Sequence, residues 1–505
     1  MTEKKPKEPV KHKEPSKETF NIDKDKRFSD WYSEILKTAE ILDLRYPVKG
    51  FPVYRPYGFG IMKRMFQELE KRWDNVDYKA AYFPVMVPEE AFTKEKEHAE
   101  GFNPDVFWVD FGKDKEETGR RALRPTSEAV MYPMFSQWIR SYNELPFKVY
   151  QTTTVYRFET KATKPLFRGR EIYWNEAHAA TRNAKACQEN VEEAIKVYND
   201  LFANELCVAT LLLKRPDWDK FPGADATYAF DSLMPDGRAL QIATTHFLGQ
   251  GFAKAYDVKF MDEDSTEKHA FLTSHGISMR ALGGMLSVHG TSNGLVIPFN
   301  LATTQIMIVP IVFEGKDEEN NKVMQAVTDL KESLKQVGFR VEIDDSKKRP
   351  GEKFYHWEMK GVPVRVEIGP KDVSMHQCIL VRRDTGEKTT VNYTDLMKVL
   401  ETLNFIDKDM RKTLLERSSK LLNASIKPAT TFEAAKKILD KEGGFVRTGF
   451  CSTFKMGEPC AKVIKEKLQA NVCGTMHGVE EDAKGLKCVA CGKKAEHVVY
   501  LAKSY

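Results

Sequence analysis

Residues 148 to 180 read KVYQTTTVYRFETKATKPLFRGREIYWNEAHAA, and both halves of this stretch alternate between residues suited to the two faces of a strand. Lys148 to Phe158 is rich in Val, Tyr and Thr and predicts one strand; Glu171 to Ala180 predicts a second. The loop between them carries Lys161, Lys164, Arg168 and Arg170, so the expectation is an antiparallel pair joined by a basic loop. Period-two geometry places Val155, Arg157 and Glu159 on one face, and Ile172, Trp174, Glu176 and His178 on one face of the neighbouring strand. A third strand, Arg238 to Phe247, puts Leu240, Ile242, Thr244 and His246 together in the same way. Each strand thus offers an ionisable or polar cluster where a plain sheet would offer aliphatics. Such groups are costly to bury unless they are paired or face a ligand.

Outward from this core, Trp31, Ile35, Leu36, Ala39 and Leu42 recur at helical spacing, as do Ile61, Met62, Met65, Phe66, Leu69 and Trp73. Tyr82 to Pro88 predicts a short strand ended by proline, and Ala184 to Leu206 a long helix. Gly283-Gly284 and the glycines at 290 and 294 bracket an expected helix and a strand ending at Pro298. Antiparallel strands with helices on one side indicate α+β. From about Gln305 the rhythm changes to strand (Ile306–Val312), helix (Asn321–Val337), strand (Arg340–Ile343), helix and strand (Val364–Ile368), which is the pattern of a mostly parallel α/β sheet. A charged helical segment, Asp407 to Asn423, leads to a final module that holds most of the cysteines.

At 505 residues the chain is long enough for several cores, and its 41% hydrophobic, 11% aromatic and 30% charged residues exclude a collagenous or wholly disordered chain. A net charge of +5 is too small for a polycation that coats nucleic acid indiscriminately, so any basic surface is local. No apolar run is long enough to span a bilayer, and the first nineteen residues, with six Lys, four Glu, three Pro and no Arg, resemble neither a secretory signal nor a mitochondrial presequence. The expectation is a disordered tail over 1–19, no membrane partner and a cytoplasmic location.

Eight cysteines are too few for a disulfide scaffold, and five of them (Cys451, Cys460, Cys473, Cys488 and Cys491) lie close to one another in sequence. Cys488 and Cys491 form a C-x₂-C knuckle followed by Gly492, suited to wrapping backbone around a tetrahedral metal. The three upstream cysteines compete for two remaining places.

Tyr156-Arg157-Phe158-Glu159, followed by the basic loop with Phe167-Arg168-Gly169-Arg170-Glu171, resembles motif 2 of the class II aminoacyl-tRNA synthetases. Pro84, after the helix and strand, resembles their motif 1, and Gly276-Ile277-Ser278-Met279-Arg280, before Gly283 and Gly290, their motif 3. Arg124-Pro125-Thr126-Ser127-Glu128, Trp174-Asn175-Glu176-Ala177-His178 and Lys348-Arg349-Pro350-Gly351-Glu352-Lys353-Phe354 narrow the resemblance to the archaeal/eukaryotic-type prolyl-tRNA synthetases. It runs from about residue 20 to Tyr505.

The resemblance implies ligation of L-proline to tRNA(Pro) through a prolyl-adenylate, with ATP and Mg²⁺, by a homodimer built on motif 1. It implies that Arg157 bridges the amino-acid carboxylate and the α-phosphate and that Glu159 meets the adenine amino group. Arg168 would reach the outer phosphates and Arg280 the γ-phosphate, with Gln241, Thr244 and Ser278 on the nucleotide side. No carboxylate is singled out for magnesium. Thr126, Glu128, Trp174, Glu176, Phe221 and His246, together with Arg157, correspond to the proline pocket. Arginines suit this chemistry because a carboxylate must approach a triphosphate, and positive charge and alignment outweigh a general base. Arg349, Glu352, Lys353 and Phe354 correspond to an anticodon-reading loop. A structural Zn²⁺ is implied on Cys451, Cys460, Cys488 and Cys491, with an insertion at Thr453 to Glu458 and Cys473 as the alternative ligand. Four thiolates leave no open position for catalysis.

The chain departs from the family in having Ile242-Ala243 where Gly-Gly is usual and His275 where Trp is usual, so a narrower floor to the site is expected. The segment from Glu159 to Arg280 is filled by the expected core elements, which leaves no room for the editing domain of bacterial relatives. The expected division is a tail (1–19), an α+β class II catalytic domain with an antiparallel sheet (20–302), an α/β anticodon-binding domain (303–405) and a small zinc-binding α+β module (406–505).

Overall fold

The computed structural model of the protein describes residues 20–91, 106–109 and 120–505; the tail expected over 1–19 lies outside the described residues. The first helix, Phe28–Thr38, buries Trp31, Ile35 and Leu36 but stops short of Leu42. Glu40 takes a left-handed φ of 59°, which turns the chain, and Leu42–Asp43 pairs instead with Val53–Tyr54 as a short hairpin. The next helix, Pro56–Asn75, begins with proline at its first turn and buries the expected stripe from Ile61 to Trp73.

Of the strand expected over Tyr82 to Pro88, only Met86–Pro88 forms. Side chains take the place of a ladder upstream: Phe83 N–H donates to Gln151 Oε1 at 3.1 Å, and Arg124 donates to the carbonyls of Phe83 (2.7 Å) and Pro84 (3.2 Å). Leu295 to Pro298 is likewise extended but not a strand. Its Leu295 and Ile297 amides donate to the carbonyls of Met359 and Gly361, at the end of the helix Pro350–Lys360. Gly283 and Gly284 lie inside the helix Met279–His289 rather than at its edge. The long helix is α-helical over Ala184–Leu201, then loosens into a π turn over Phe202–Leu206.

An eleven-stranded sheet forms the centre of the molecule. Its order is Ile426–Pro428, Phe445–Phe450, His497–Ala502, Asn471–Met476, Leu211–Lys214, Ala226–Leu233, Ala239–Gly249, Phe271–Ser278, Glu171–Thr181, Phe147–Tyr156, Lys79–Ala80. Phe147–Tyr156 and Glu171–Thr181 pair antiparallel with Gln151 opposite Glu176, and Glu171–Thr181 pairs with Phe271–Ser278 so that Trp174 faces Ser278. The first four strands in this order come from the C-terminal module. They join the rest where Thr475 and Met476 pair antiparallel with Lys214 and Leu213.

A second sheet has five strands. Val341–Ile343, Ile306–Pro310 and Val364–Ile368 are parallel, as the sequence implies. Two antiparallel strands that the sequence reading did not assign, Gln377–Arg382 and Lys388–Asn392, extend it. The charged segment is part of one 29-residue helix, Leu396–Ala424. Val399, Leu403, Ile406, Met410 and Leu414 along it pack into the core of this second sheet, so a boundary at 405/406 would cut a single packed element.

Candidate active site

One face of the central antiparallel strands and the loops above it enclose a cavity of about 580 Å³. Arg157, Glu159, Gln241, Thr244, Ser278 and Arg280 line it, and so do Thr126, Glu128, Trp174, Glu176, Phe221 and His246. Arg168 stands just outside, with its Nε 3.7 Å from Glu159 Oε2.

The cations converge from two stretches. Arg157 leaves the end of the Phe147–Tyr156 strand, donates from Nε to the Pro125 carbonyl at 3.1 Å, and lies 5.6 Å from the centre of the Trp174 ring. Its guanidinium is wetted through the cavity mouth. Desolvation by the surrounding protein still draws it below its ordinary value, opposed by Glu128, Glu176 and Glu159. Arg280 sits in the first turn of the Met279–His289 helix and donates to the carbonyls of Phe167 (2.9 Å) and Gln241 (3.3 Å). Burial, then the nearby charges of Arg157 and Arg168, hold it down to about 10. A buried guanidinium held down by two neighbouring cations marks a place prepared for an anion.

The loop between the strands is anchored by Phe167, whose ring packs 4.7 Å from Tyr32 and 4.7 Å from Tyr505. Gly283 makes that anchor possible. A Cβ there would lie 2.9 Å from Phe167 Cε1, so the helix reaches the loop only without a side chain. Ser278 caps the same helix, its Oγ accepting from Arg280 N–H at 3.2 Å.

The carboxylates are held by buried donors. Thr126 Oγ1 donates to Glu128 Oε2, and Ser274 Oγ to Glu128 Oε1 at 3.3 Å. Glu176 accepts from Ser127 Oγ and, at 2.7 Å, from Gln151 Nε2. Its other oxygen lies 3.4 Å from His178 Nε2, while His178 Nδ1 pairs with Tyr132 OH at 2.9 Å. His246 bonds Thr227 Oγ1 through Nδ1 at 2.9 Å and packs 4.8 Å from Phe221. Burial, then His178, holds it down to about 3, so its ring is neutral. Trp174 Nε1 is buried without a partner among the described residues. The site therefore combines two fixed carboxylates, two aromatic walls and a neutral imidazole beside the paired arginines.

Strict alternation fails on the third strand. A bulge between Phe230 and Asp231 skips Ile242 in the pairing, setting Ala243 opposite Phe230 and Gln241 opposite Asp231. Parity changes there. Thr244 stays on the cavity face beside Trp174 and Gly276, Gln241 joins it, and Leu240 and Ile242 turn to the helix, within 3.5 Å of where a Cβ on Gly284 would stand. The side chain of Ile242 is thus directed largely away from the floor it was expected to narrow. His275 contributes to the cavity lining, but its ring is engaged behind it, stacked 5.9 Å from Trp73 and bonded to Thr245 Oγ1 and Asn190 Oδ1.

Elsewhere the expectations divide. Cys451, Cys460, Cys488 and Cys491 lie with their sulfurs within 4.8 Å of one another, while buried Cys473 packs in a different cluster with Leu213 and Tyr500. Cys460 stands in the first turn of the helix Glu458–Leu468, and a short 3₁₀ turn, Lys455–Gly457, occupies the expected insertion. Arg349 and Glu352 are exposed at the start of the helix Pro350–Lys360. Lys353 does not share their surface. It is 2% exposed and donates to the Asp344 carbonyl, and Phe354 lies under Arg365, packed against the sheet.

Residues 107–289 match the tRNA synthetase class II core domain (G, H, P, S and T), residues 305–403 the anticodon binding domain, and residues 432–505 the prolyl-tRNA synthetase C-terminal domain. The proline–tRNA ligase of Methanothermobacter thermautotrophicus is 41% identical over 488 residues, which is 96% of this chain and 97% of that protein. The chain belongs to the prolyl-tRNA synthetase family. The Methanococcus maripaludis proline–tRNA ligase is 46% identical over 377 residues, 74% of this chain and 81% of the relative. A Giardia lamblia prolyl-tRNA synthetase solved in complex with prolyl-adenylate superposes with a TM-score of 0.91 at 38% identity, covering 96% of this chain and 100% of that one. A Cryptosporidium parvum prolyl-tRNA synthetase solved with halofuginone and AMPPNP gives 0.87 at 31%, covering 96% and 99%. The activity is that of the family, an ATP-dependent ligase that joins proline to tRNA.

Sequence reading grouped His178 with Glu176 on one strand face but missed Ser127 and Gln151, which donate to Glu176, and Tyr132, which bonds His178. The signal was present for Gln151: it shares a face with Val149 and Val155 and stands directly opposite Glu176.

Proposed function

We propose that the cavity performs both steps of the reaction with the residues that line it. The carboxylate oxygen of proline attacks the α-phosphorus of ATP, the bond to the bridging oxygen breaks, and pyrophosphate leaves. A ribose hydroxyl at the tRNA 3′ end then attacks the prolyl carbonyl, and AMP departs. Arg157 holds the two reacting anions together with its planar fork, Arg280 and Arg168 take the outer phosphates, and Glu159 meets the adenine amino group. Gln241, Thr244 and Ser278 complete the nucleotide side. Glu128 and Glu176 neutralise the imino nitrogen, with Thr126 orienting Glu128; Trp174, Phe221 and neutral His246 flank the ring. Magnesium accompanies the triphosphate. The observation that carries the reading is the entry of Arg157 and Arg280, from separate stretches, into one cavity beside Glu128 and Glu176. Proline-dependent ATP–pyrophosphate exchange tests it; absence of exchange by the purified enzyme overturns it.

The division proposed is a catalytic domain over 20–302, an anticodon-binding domain from 303 to the end of the long helix, and a C-terminal zinc module beyond. Four thiols within 4.8 Å of one another fit a zinc tetrahedron, in which sulfurs stand roughly 3.8 Å apart. Zn²⁺ bound there would crosslink the strand end at Cys451, the helix start at Cys460 and the Cys488 knuckle, and would take no part in the reaction. Arg349 and Glu352 are the exposed candidates for anticodon contact. The stretch Glu159 to Arg280 consists of core strands and helices, which supports a chain without hydrolytic editing of Ala-tRNA; rapid deacylation would refute that. Exposed Tyr82, Met86, Met134 and Trp138 near motif 1 support a homodimer, testable by sedimentation. No helix among the described residues is long and apolar enough to cross a membrane. Eight unpaired cysteines suit the reducing cytoplasm.

A further inference from the structure

Arg215 follows the strand Leu211–Lys214, at the seam between the core and the C-terminal module, and belongs to no motif discussed above. It is 9% exposed. Its guanidinium holds Asp231 with both terminal nitrogens at 2.8 Å, so its charge is neutralised within the sheet. Two further bonds leave that pair. One terminal nitrogen donates to the carbonyl of Cys473 at 2.6 Å, on the strand Asn471–Met476 of the C-terminal module. The other donates to Gln241 Oε1 at 2.9 Å. Gln241 reaches the cavity only because of the bulge that places it opposite Asp231.

A guanidinium has donors only, so the Gln241 atom it meets must be the carbonyl oxygen. The amide NH₂ is then directed to the other side. This matters beside a triphosphate, where a carbonyl would repel and an N–H pair would attract. An unanchored glutamine offers either end.

We propose that Arg215 is a positioning residue that fixes the Gln241 amide with its NH₂ toward the nucleotide, using Asp231 and the Cys473 carbonyl as its anchor. The inference rests on the nucleotide reading of the cavity given above. It deepens that reading by making nucleotide affinity depend on a strand of the C-terminal module. Asp231 fixes the plane of the guanidinium, and against the cost of burial it holds the group above its ordinary value.

Exchange kinetics with ATP and proline varied separately test it. Wild-type enzyme without exchange refutes the cavity reading itself; each variant is measured against an active wild type. Arg215→Lys keeps the charge but cannot span Asp231, Gln241 and Cys473 together, and it raises KM for ATP about tenfold, the value of one well-made hydrogen bond, with KM for proline unchanged. Gln241→Met raises KM for ATP similarly, and the double variant is no worse than Gln241→Met alone. Should Arg215→Lys fail to melt cooperatively, Gln241→Glu carries the test: it keeps the oxygen for Arg215, loses the NH₂ and weakens ATP by at least tenfold. A folded Arg215→Lys with wild-type KM for ATP, additive losses in the double variant, or Gln241→Glu with unchanged KM for ATP would each overturn the proposal.

Discussion

Lys353 Nζ donates to the carbonyl oxygen of Asp344 at 2.8 Å, and both side chains are nearly closed to solvent, at 2% and 9% exposure. A lysine quoted in the family's anticodon string is thus an interior strut between the helix Pro350–Lys360 and the end of the strand Val341–Ile343. Lys353→Glu sets two carboxylates against each other and leaves no cation, costing about 3 kcal/mol or more. The expected result is a lower melting temperature together with lost tRNA binding. Arg349→Ala, at an exposed cap, weakens tRNA binding several-fold with melting unchanged; equal melting of both variants would contradict this contrast.

Gln151 and Ser127 both donate to Glu176 from within the sheet. Removing the longer donor by Gln151→Leu leaves the carboxylate less fixed and partly unsatisfied. Exchange should show KM for proline rising about tenfold with KM for ATP within about twofold, following the loss of one charge-assisted bond. An effect on ATP alone would place Glu176 elsewhere in the reaction.

Buried histidines set an acid limit. Burial first, then His178, holds His246 at about 3 instead of 6.5, and burial holds His289 at about 4. Both rings are neutral in the native protein at pH 5.5, whereas the unfolded chain begins to protonate them below about 6.5. The unfolded state then binds more protons, so stability falls as pH drops from 6.5 toward these values, by up to about 1.4 kcal/mol per pH unit for each histidine. Urea unfolding at pH 7.5, 6.5 and 5.5 reads the slope. His289→Gln, which can still donate to the Leu206 carbonyl, should reduce it by about one proton; an unaltered slope would assign the acid sensitivity to other groups.

The cysteine cluster gives a compositional test. Purified protein should carry one zinc per chain, and a strong chelator should lower the first melting transition by several degrees. Cys491→Ser should lose the metal, while Cys473→Ser, packed beside Leu213 and Tyr500, should retain it. Zinc loss from Cys473→Ser alone would reassign the site.

Much of this was legible beforehand where a residue's role depends on its neighbours in sequence. The alternating strands around Arg157 and Trp174, the helix from Ile61 to Trp73 and the Cys488 knuckle all follow local periodicity or spacing. Longer-range effects were not legible. The bulge at Ile242 reverses which of Gln241 and Leu240 sees the cavity, and it is created by pairing with Asp231 on another strand. Lys353 points inward because Asp344 waits below it. Tyr82 to Val85 looks like a strand, but Arg124 and Gln151 take its backbone groups first.

The shared sheet has a consequence for biosynthesis. Lys214 pairs on one side with Tyr228, but its other flank is closed only when Thr475 has been made, and until then the strand Leu211–Lys214 presents an unsatisfied hydrogen-bonding edge. A ribosome-bound nascent chain must carry that open flank through about half of translation, which makes premature termination within the final module a route to self-association rather than to a smaller working enzyme.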